Sequence, residues 1–476
     1  AHECLEHMKL YPEKSRSQFD YVIDWLHEWA CTREEGLGTK LPWDEKWLIE
    51  SLSDSTIYMA YYTIAHLIEN LEIDKVDDRF FDYIFYGKGE KPDIDNIDEF
   101  RQNFEYYYPV DFRNSGKDLI QNHLTFYIFN HVAMFPKEKW PKGIGANGWV
   151  TVDGQKMSKS LGNMIPVRKM ADEFTADASR ITILNGGEEL DDPNWDTDFA
   201  RSIGSKLLNL LDQVTNHHRK HESREWTQID RWFNSELNKS IRNATNAMEE
   251  TLFRTAIQRV YFDMQRILKH YLRRTNDSPD GNLIDRFLET QVIMLNPFAP
   301  HISEEMWEIM NKKGFASSAR WPEFDEDCID ENLSMQEDYL DNTMDDIRTV
   351  QGLAKIDDIK KITIFISDPW KYRLVSNVKD ELDQGNRDFK SILEKIMTIE
   401  ELRANGKTIT KLLPQLIKKG TGITMTSQDD EMRLLDETKG AIEQEFNSSV
   451  EMIKAQDSKV PKSNNAMPGK PAIIIE

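Results

Sequence analysis

Residues 153 to 163 read Asp-Gly-Gln-Lys-Met-Ser-Lys-Ser-Leu-Gly-Asn and carry the most informative chemistry of the chain. Lys156 and Lys159 stand three positions apart, just after Asp153 and Gly154, a pair that favours a tight turn between two strands. Ammonium groups on such a loop can bind a polyphosphate and stabilise the negative charge that grows while a phosphorus centre reacts. The spacing therefore predicts a hairpin followed by a phosphate-binding loop, with a solvated basic turn as the alternative.

The string from Lys156 to Ser160, with Gly154 before it and Gly162-Asn163 after it, resembles the KMSKS motif of class I aminoacyl-tRNA synthetases. The resemblance implies adenylate chemistry: an amino-acid carboxylate attacks the α-phosphorus of ATP, pyrophosphate leaves, and the acyl group passes to the terminal ribose of a tRNA. Lys156 and Lys159 would be the catalytic residues that stabilise phosphate charge, and Mg²⁺ would share that charge. The ATP-binding loop implied in this way is Lys156, Met157, Ser158, Lys159 and Ser160.

A second stretch, Asp111 to Leu124, places a glycine, a carboxylate and a histidine close together before that motif. Gly116 lets the backbone approach a ligand closely, and the carboxylate of Asp118 suits a ribose diol. We expect His123 to fall one to two turns into the following helix and to point into the same cleft. The pattern is common at helix starts, but in this position it resembles the adenosine-binding segment shared by leucyl- and methionyl-tRNA synthetases. That resemblance adds Gly116 and Asp118 to the ATP site.

The run from Leu41 to Ala60 narrows the choice of amino acid. Its residues predict a helical stretch from Asp54 to Leu71 with Ser53 or Asp54 as the N-cap, and an ordinary capped core helix is the alternative interpretation. Together with residues 36 to 39, the run resembles leucyl-tRNA synthetases of the eukaryotic and archaeal type. The pocket for leucine would be lined by Leu52, Ser55, Tyr58 and His123. Such an apolar pocket separates leucine from its isosteres by only ~1–3 kcal/mol, so a separate editing site is usual.

Three further segments carry weaker signals. Residues 29 to 33 resemble a family segment near the tRNA acceptor end, so Arg33 is a candidate RNA contact, with an ordinary surface arginine as the alternative. Residues 295 to 307 resemble the family's anticodon-binding bundle, and we interpret them as structural, with Trp307 packing inward. A row of cations before them predicts either a phosphate-binding stripe or a solvated face with ion pairs: Arg254, Arg259, Arg266, Lys269, Arg273 and Arg274.

Three regions with different sequence patterns follow one another along the chain. Residues 1–198 alternate helical stretches with Gly- and Pro-containing connections, 199–330 read almost entirely as helix, and 331–476 combine charged helices with strands near 362–366 and 472–475. With the resemblance, they predict an α/β plus α fold: the second half of a Rossmann-type class I catalytic domain, an α-helical anticodon-binding bundle and a small α+β C-terminal tRNA-binding module. Within the helical part, one apolar stripe contains Leu207, Leu208, Leu210, Leu211 and Val214. Residues 457–470 predict a flexible arm.

Composition limits the classes of protein to which the chain can belong. The hydrophobic content of 39% is ordinary for a folded protein, and no apolar run approaches the ~20 residues that cross a bilayer, so we expect a soluble, cytoplasmic protein without membrane contact. Cys4, Cys31 and Cys328 follow no metal-ligand spacing, which predicts free thiols and no metal site within the protein. The net charge of −23 argues against nucleic-acid binding by the whole surface but is compatible with a local basic stripe.

Parts of the family pattern are missing from the sequence. No His-x-Gly-His segment is present, residues 1 to 4 being the nearest, and nothing resembles the inserted editing domain. The chain also starts with Ala1 rather than methionine, so we expect a leucyl-tRNA synthetase fragment that needs a complementary N-terminal half to activate leucine and charge tRNA(Leu), and that is inactive in isolation. A multi-synthetase complex is a further candidate partner. Two alternatives stay open: a methionyl-type class I relative, and a non-catalytic tRNA-binding module that retains the motif.

Overall fold

The computed structural model describes residues 1–69, 71–158, 160, 162–420 and 427–476, with the side chain of residue 419 excepted. The described chain divides into two compact units. The first unit comprises Ala1–His221, Ser240–Arg266 and Ile284–Phe324, and the second comprises Glu222–Lys239, Ile267–Leu283 and Asp325–Glu476. Within this described part, every helix is too short or too polar to cross a membrane.

A three-stranded parallel sheet organises the first unit. Its central strand, Gly143–Asn147, pairs with Lys9–Tyr11 on one side and with Arg113–Gly116 on the other. The helices Arg16–Trp25 and His123–Met134 supply apolar side chains to the same core as this sheet. Burial of these side chains stabilises the sheet by roughly 25 cal/mol for each Å² of apolar surface removed from water. The core contains Cys4, Leu5, Met8, Leu10, Phe19, Ile23, Ile120, Leu124, Tyr127, Ile128, Ile144 and Ala146.

Two smaller sheets also belong to the first unit. One joins Thr32–Arg33 and Lys40–Leu41 to the strand Asp44–Ile49, all antiparallel. The other is a hairpin of Thr151–Val152 with Gln155–Lys156, extended by a parallel strand at Asn194–Trp195. The hairpin turn is formed by residues 153 and 154, whose φ angles are +53° and +71°. The predicted hairpin is therefore confirmed, and both turn residues have the positive φ that a type I′ turn needs.

The helical stretch predicted for residues 54 to 71 is wrong as a single element. Three short helices take its place, Ser51–Asp54, Tyr58–Tyr62 and Ala65–Ile68, and the first is capped by the side chain of Glu50 rather than by Ser53 or Asp54. The hydroxyls of Thr56 and Thr63 donate to the carbonyls three residues before them, each at 2.8 Å. These bonds satisfy carbonyls in the last turns of the first two short helices.

Helices form most of the rest of the first unit, and some of them continue into the second unit. The apolar stripe near residue 210 is confirmed for Leu207, Leu210 and Val214, but Leu208 is 59% exposed and lies outside it. Trp307 is buried, as predicted. Two π-helical turns, Asp82–Tyr86 and Gln258–Asp263, continue helices that precede them. The remaining α-helices are His2–His7, Asp78–Phe81, Ile97–Tyr107, Val167–Phe174, Ala176–Asn185, Thr197–His217, Gln228–Glu249, Phe253–Ile257, Met264–Arg274, Gly281–Leu295 and Pro300–Ile309.

A mixed three-stranded sheet organises the second unit. The strand Lys361–Ile366 lies in the centre, parallel to Ser449–Lys454 and antiparallel to Ala472–Ile475. The strands predicted near 362–366 and 472–475 are therefore found in the structure. The helices of this unit are Glu331–Ala354, Pro369–Asp383, Phe389–Met397, Glu400–Arg403, Gly406–Lys419 and Gln428–Phe446.

The flexible arm predicted for residues 457 to 470 is wrong. Pro461–Asn465 forms a 3-10 helix, and both Ser463 and Ala466 are buried. The buried ammonium of Lys371 donates to the carbonyls of Asn464 and Ala466, each at 2.7 Å. These long-range bonds hold a segment whose composition alone is typical of a loose linker.

Candidate functional site

The candidate site begins where two neighbouring parallel strands end. Gly116, the last residue of one strand, is paired in register with Asn147, the last residue of the central strand. The side-chain amide of Asn114 donates to the side-chain oxygen of Asn147 at 2.9 Å, which ties the two strand ends together. Parallel strands present their carboxyl ends at one edge of the sheet, where open α/β folds bind ligands.

The segment after the first strand end places a carboxylate at this edge. Asp118 is exposed within the 3-10 turn Lys117–Gln121, and its Oδ1 atom lies 2.5 Å from the position that a Cβ on Gly116 would occupy. A larger residue at position 116 would displace the Asp118 carboxylate from this place. The structure therefore brings together Gly116 and Asp118, the two residues predicted to bind the adenosine part of ATP.

A polar bridge joins this segment to the hairpin loop. The ammonium of Lys117 donates to the carbonyl of Leu190 at 2.9 Å and pairs with Asp192 at 2.8 Å. The same Asp192 oxygen accepts from the backbone N–H of Trp149 at 2.7 Å. The hydrogen bond from Lys117 holds the pKa of the Asp192 carboxyl below its usual value. Sequence reasoning missed this bridge, because its members are separated by more than 40 residues along the chain.

The loop after the hairpin is held by its own side chains. The Nζ atom of Lys156 lies 4.2 Å from the centre of the Trp149 ring, a cation–π contact. The side chain of Asn163 accepts from the N–H of Ser158 at 2.9 Å and donates to the carbonyl of Lys156 at 3.2 Å. The hydroxyls of Ser158 and Ser160 lie 2.9 Å apart. Lys159, the second predicted catalytic lysine, lies outside the described residues.

Two of the residues predicted to line the leucine pocket, Ser55 and His123, are in direct contact. Leu52, Ser55 and Tyr58 come from the broken helical run, and the hydroxyl of Ser55 lies 2.9 Å from Nε2 of His123. His123 is the first residue of its helix, so its predicted place one to two turns into the helix is wrong. The side chain of Asn122 caps that helix, which sets its start at the histidine.

A guanidinium that the sequence did not single out completes this cluster. Arg113 approaches Nε2 of His123 at 3.5 Å, and its Cζ atom lies 5.8 Å from the ring of Tyr58 and 5.3 Å from the ring of Tyr127. His123 is only 5% exposed, and burial followed by the charge of Arg113 lowers the pKa of its imidazole. Within the described ranges, three buried polar atoms of this cluster lack a hydrogen-bond partner: Nε of Arg113, Nδ1 of His123 and the hydroxyl of Tyr127.

Arg33, the candidate RNA contact, is turned toward protein groups. Its guanidinium lies 3.6 Å from the carboxylate of Glu50 and donates to the carbonyl of Leu37. The same Glu50 carboxylate accepts from the N–H of Leu52 at 2.6 Å, so Arg33 supports the helix that carries the first pocket residue. Contact between Arg33 and RNA stays a prediction.

Four of the six cations proposed as a basic stripe form ion pairs. Arg259 and Arg266 both pair with Asp263, at 2.6 and 3.9 Å. In the second unit, Arg274 pairs with Glu337 at 3.0 Å, and Arg273 pairs with Asp341. The alternative interpretation, a face with ion pairs, therefore describes these four residues.

Two family profiles match the chain and define its class. Residues 91–221 match a profile described as "tRNA synthetases class I (M)", and residues 230–366 match the "Anticodon-binding domain of tRNA ligase". The first match covers the strand ends, the hairpin and the KMSKS loop, so the chain contains a class I tRNA synthetase domain with an anticodon-binding domain after it.

Curated relatives show the family. Over the whole of this chain, the leucine–tRNA ligases of Pyrococcus horikoshii, Methanocaldococcus jannaschii and Aeropyrum pernix are 40%, 39% and 38% identical to it. The chain covers 51%, 50% and 51% of these relatives, respectively, and thus spans about half of their length. It belongs to the leucyl-tRNA synthetase family and corresponds to the C-terminal half of an archaeal-type member.

One solved structure is also similar. It is a ternary LeuRS–tRNA–LeuAMS complex of Agrobacterium radiobacter K84, with 23% identity and a TM-score of 0.42 over 53% of this chain and 33% of that chain. A similarity at this level adds nothing to the fold assignment.

Proposed function

We propose that this chain supplies part of the site in which leucine is activated by ATP and transferred to tRNA(Leu), and that it needs a complementary N-terminal half for catalysis. The observation that carries the proposal is the convergence of Gly116, Asp118 and the Lys156 loop at one edge of a parallel sheet. In the finer form of this proposal, that sheet is the second half of a Rossmann-type nucleotide fold. The division into domains 1–198, 199–330 and 331–476 belongs to the same proposal.

The ATP part of the proposed mechanism uses the two strand ends. Gly116 gives the nucleoside close access to the backbone, and the carboxylate of Asp118 accepts hydrogen bonds from the ribose hydroxyls. Lys156, released from Trp149, and Lys159 place their ammonium groups on the phosphates. Positive charge held there stabilises the charge that develops between the α-phosphorus and the departing pyrophosphate.

Mg²⁺ is not assigned to residues of this chain. Among the residues that the structure describes, no group of three or more His, Cys, Asp or Glu side chains could hold a metal ion. In the proposal Mg²⁺ arrives with ATP, since this ion is usually held by substrate phosphates and few carboxylates.

The leucine part of the mechanism uses the cluster around His123. Leu52 and Tyr58 offer half-buried apolar surface, and Ser55 is bonded to the buried imidazole. In the proposal these groups enclose the isobutyl side chain, whose full burial contributes about 1.5–3 kcal/mol. The anticodon-binding domain and the second unit would hold tRNA(Leu), and a cytoplasmic location with a multi-synthetase complex as partner remains part of the hypothesis.

The test is leucine-dependent exchange of pyrophosphate into ATP, measured on this chain alone and after mixing with a separately produced N-terminal half of a related synthetase. Exchange is expected only in the mixture. Lys156→Ala should lower its rate by about 10²–10³-fold, as for other preorganised charge stabilisers. Lys169→Ala is the matched control, because Lys169 is an exposed lysine on the helix that follows the loop.

Each alternative predicts a different result. A non-catalytic tRNA-binding module would show no exchange in a mixture whose halves demonstrably associate, and its tRNA affinity would not change with Lys156→Ala. A methionyl-type relative would exchange with methionine in place of leucine.

A further inference from the structure

We propose that Arg113 is a positioning residue that holds His123 as a neutral imidazole with its proton on Nδ1. The role of this histidine in leucine binding rests on the proposed function. The contacts that assign its proton lie within the described chain and do not depend on that proposal. It assigns a role to a residue that neither the KMSKS loop nor the predicted pocket included.

The assignment of the proton follows from donor and acceptor chemistry. A guanidinium can only donate hydrogen bonds, so a ring nitrogen that faces it must offer a lone pair. Nε2 of His123 faces Arg113 at 3.5 Å and the hydroxyl of Ser55 at 2.9 Å. Nε2 has a single lone pair, which the guanidinium and the hydroxyl of Ser55 share, so both groups donate toward it. A neutral ring then carries its proton on Nδ1.

The surroundings of the guanidinium keep the imidazole uncharged. Within the described part of the chain, no carboxylate lies within 4.0 Å of the Arg113 guanidinium, which instead packs against the rings of Tyr58 and Tyr127. A protonated His123 would add a second positive charge beside it in a buried place. The backbone of Ser55 and the carboxylate of Glu50 raise the pKa of His123, but burial and the charge of Arg113 outweigh them, and Glu50 is also engaged by Arg33 and by the N–H of Leu52.

The arrangement leaves one specific donor in the pocket. Among the described residues, no group forms a hydrogen bond with the buried Nδ1 of His123, so its N–H is available to an acceptor from elsewhere. Ser55, whose only hydrogen is given to Nε2, presents lone pairs rather than a donor. Arg113 thereby determines which polar groups the wall of the pocket offers, without itself touching leucine.

The test reads the tautomer directly by ¹⁵N NMR of the whole chain with labelled histidine. The spectrum of His123→Gln identifies the signals of His123. In the wild-type chain, Nδ1 should be protonated and Nε2 unprotonated, and the ring should take up its second proton only at lower pH than an ordinary histidine.

Substitutions separate the two groups that face Nε2. Arg113→Met should release the proton from Nδ1 to a mixture of both nitrogens and raise the pKa of His123, whereas Ser55→Ala should leave the tautomer unchanged. Arg113→Lys keeps a cationic donor and should retain the neutral ring. Arg79→Met is the matched control, because Arg79 is an exposed arginine that pairs with Asp77 away from the pocket.

Two results would overturn the inference. One is a wild-type spectrum in which Nε2 carries the proton. The other is a folded Arg113→Met protein with the tautomer and titration of the wild type. Neither NMR measurement requires ATP or leucine, so failure of this inference can be distinguished from failure of the pyrophosphate-exchange test of the proposed function.

Discussion

The second unit contains a buried carboxyl group whose hydrogen bonds allow a quantitative test. Glu431 is fully buried and accepts from the hydroxyls of Tyr339 at 2.7 Å and Tyr372 at 2.5 Å, and from the N–H of Gly469 at 3.2 Å. Burial raises the pKa of this carboxyl, while the three hydrogen bonds oppose that rise. The perturbation that we consider is Tyr372→Phe, which removes one donor and leaves the ring in place.

The expected cost depends on the charge of Glu431. A hydrogen bond to a charged group contributes about 1.5–3 kcal/mol, and one to a neutral group about 0.5–1.5 kcal/mol. Because the pKa is higher in the folded than in the unfolded state, the native protein binds the additional proton, and the stability linked to it is lost as pH rises through the folded-state pKa. Tyr372→Phe raises that pKa further, so its destabilisation should grow from the lower to the higher figure as pH increases.

The assay is urea unfolding at mildly acidic and mildly alkaline pH, with amide hydrogen exchange of the helix Gln428–Phe446 as the local probe. Tyr83→Phe is the control, because its hydroxyl donates to Asp98 at 2.7 Å on the exposed surface of the other unit, and it should leave stability unchanged. The reasoning is refuted if Tyr372→Phe behaves like Tyr83→Phe, or if its cost is larger at acidic pH.

Two further predictions concern contacts that the sequence does not display. Trp149→Ala should release the ammonium of Lys156, because a cation–π contact at an exposed site contributes about 0.5–1 kcal/mol. The rate at which a reagent acylates Lys156, followed by peptide mass spectrometry, should then rise about 2–5-fold relative to other exposed lysines. No change in that rate would exclude the ring as a holding site. The side chain of His270 is only 10% exposed. Burial lowers the pKa of its imidazole, but hydrogen bonds to Asp341 at 2.9 Å and Glu337 at 3.0 Å outweigh this and raise the pKa. The stability that His270 contributes is fully present below the pKa of the imidazole in the unfolded state, and it is lost as pH rises through the pKa in the folded state. His270→Gln should therefore abolish that part of the pH dependence of urea unfolding.

Local chemistry was sufficient to predict several elements of this protein. The Asp153-Gly154 turn follows from the positive φ angles that these residue types tolerate, and the structure has both. The strand predicted at 472–475 begins and ends at those residues, because a short continuous apolar run is typical of a buried strand. The KMSKS string indicated the class of protein because it is a contiguous motif.

Local patterns failed where a run with helical spacing is interrupted or where side chains meet across long distances. The run from Asp54 to Leu71 has helical spacing, yet three short helices form in its place. The segment 457–470 has the composition of a linker, but the buried ammonium of Lys371 fixes its carbonyls.

The candidate site shows the same division. Sequence alone named Gly116, Asp118, Ser55, His123 and Lys156, because motif position carries residue identity. Only the tertiary structure brought in the other members, Lys117 paired with Asp192, Trp149 beneath the lysine, and Arg113 beside the imidazole. Their partners lie 10 to 75 residues away or are joined through a ring face, and no periodicity along the chain records such contacts. These contacts depend on the pairing of parallel strands, because that pairing places the ends of segments that are distant in sequence at one edge of the sheet.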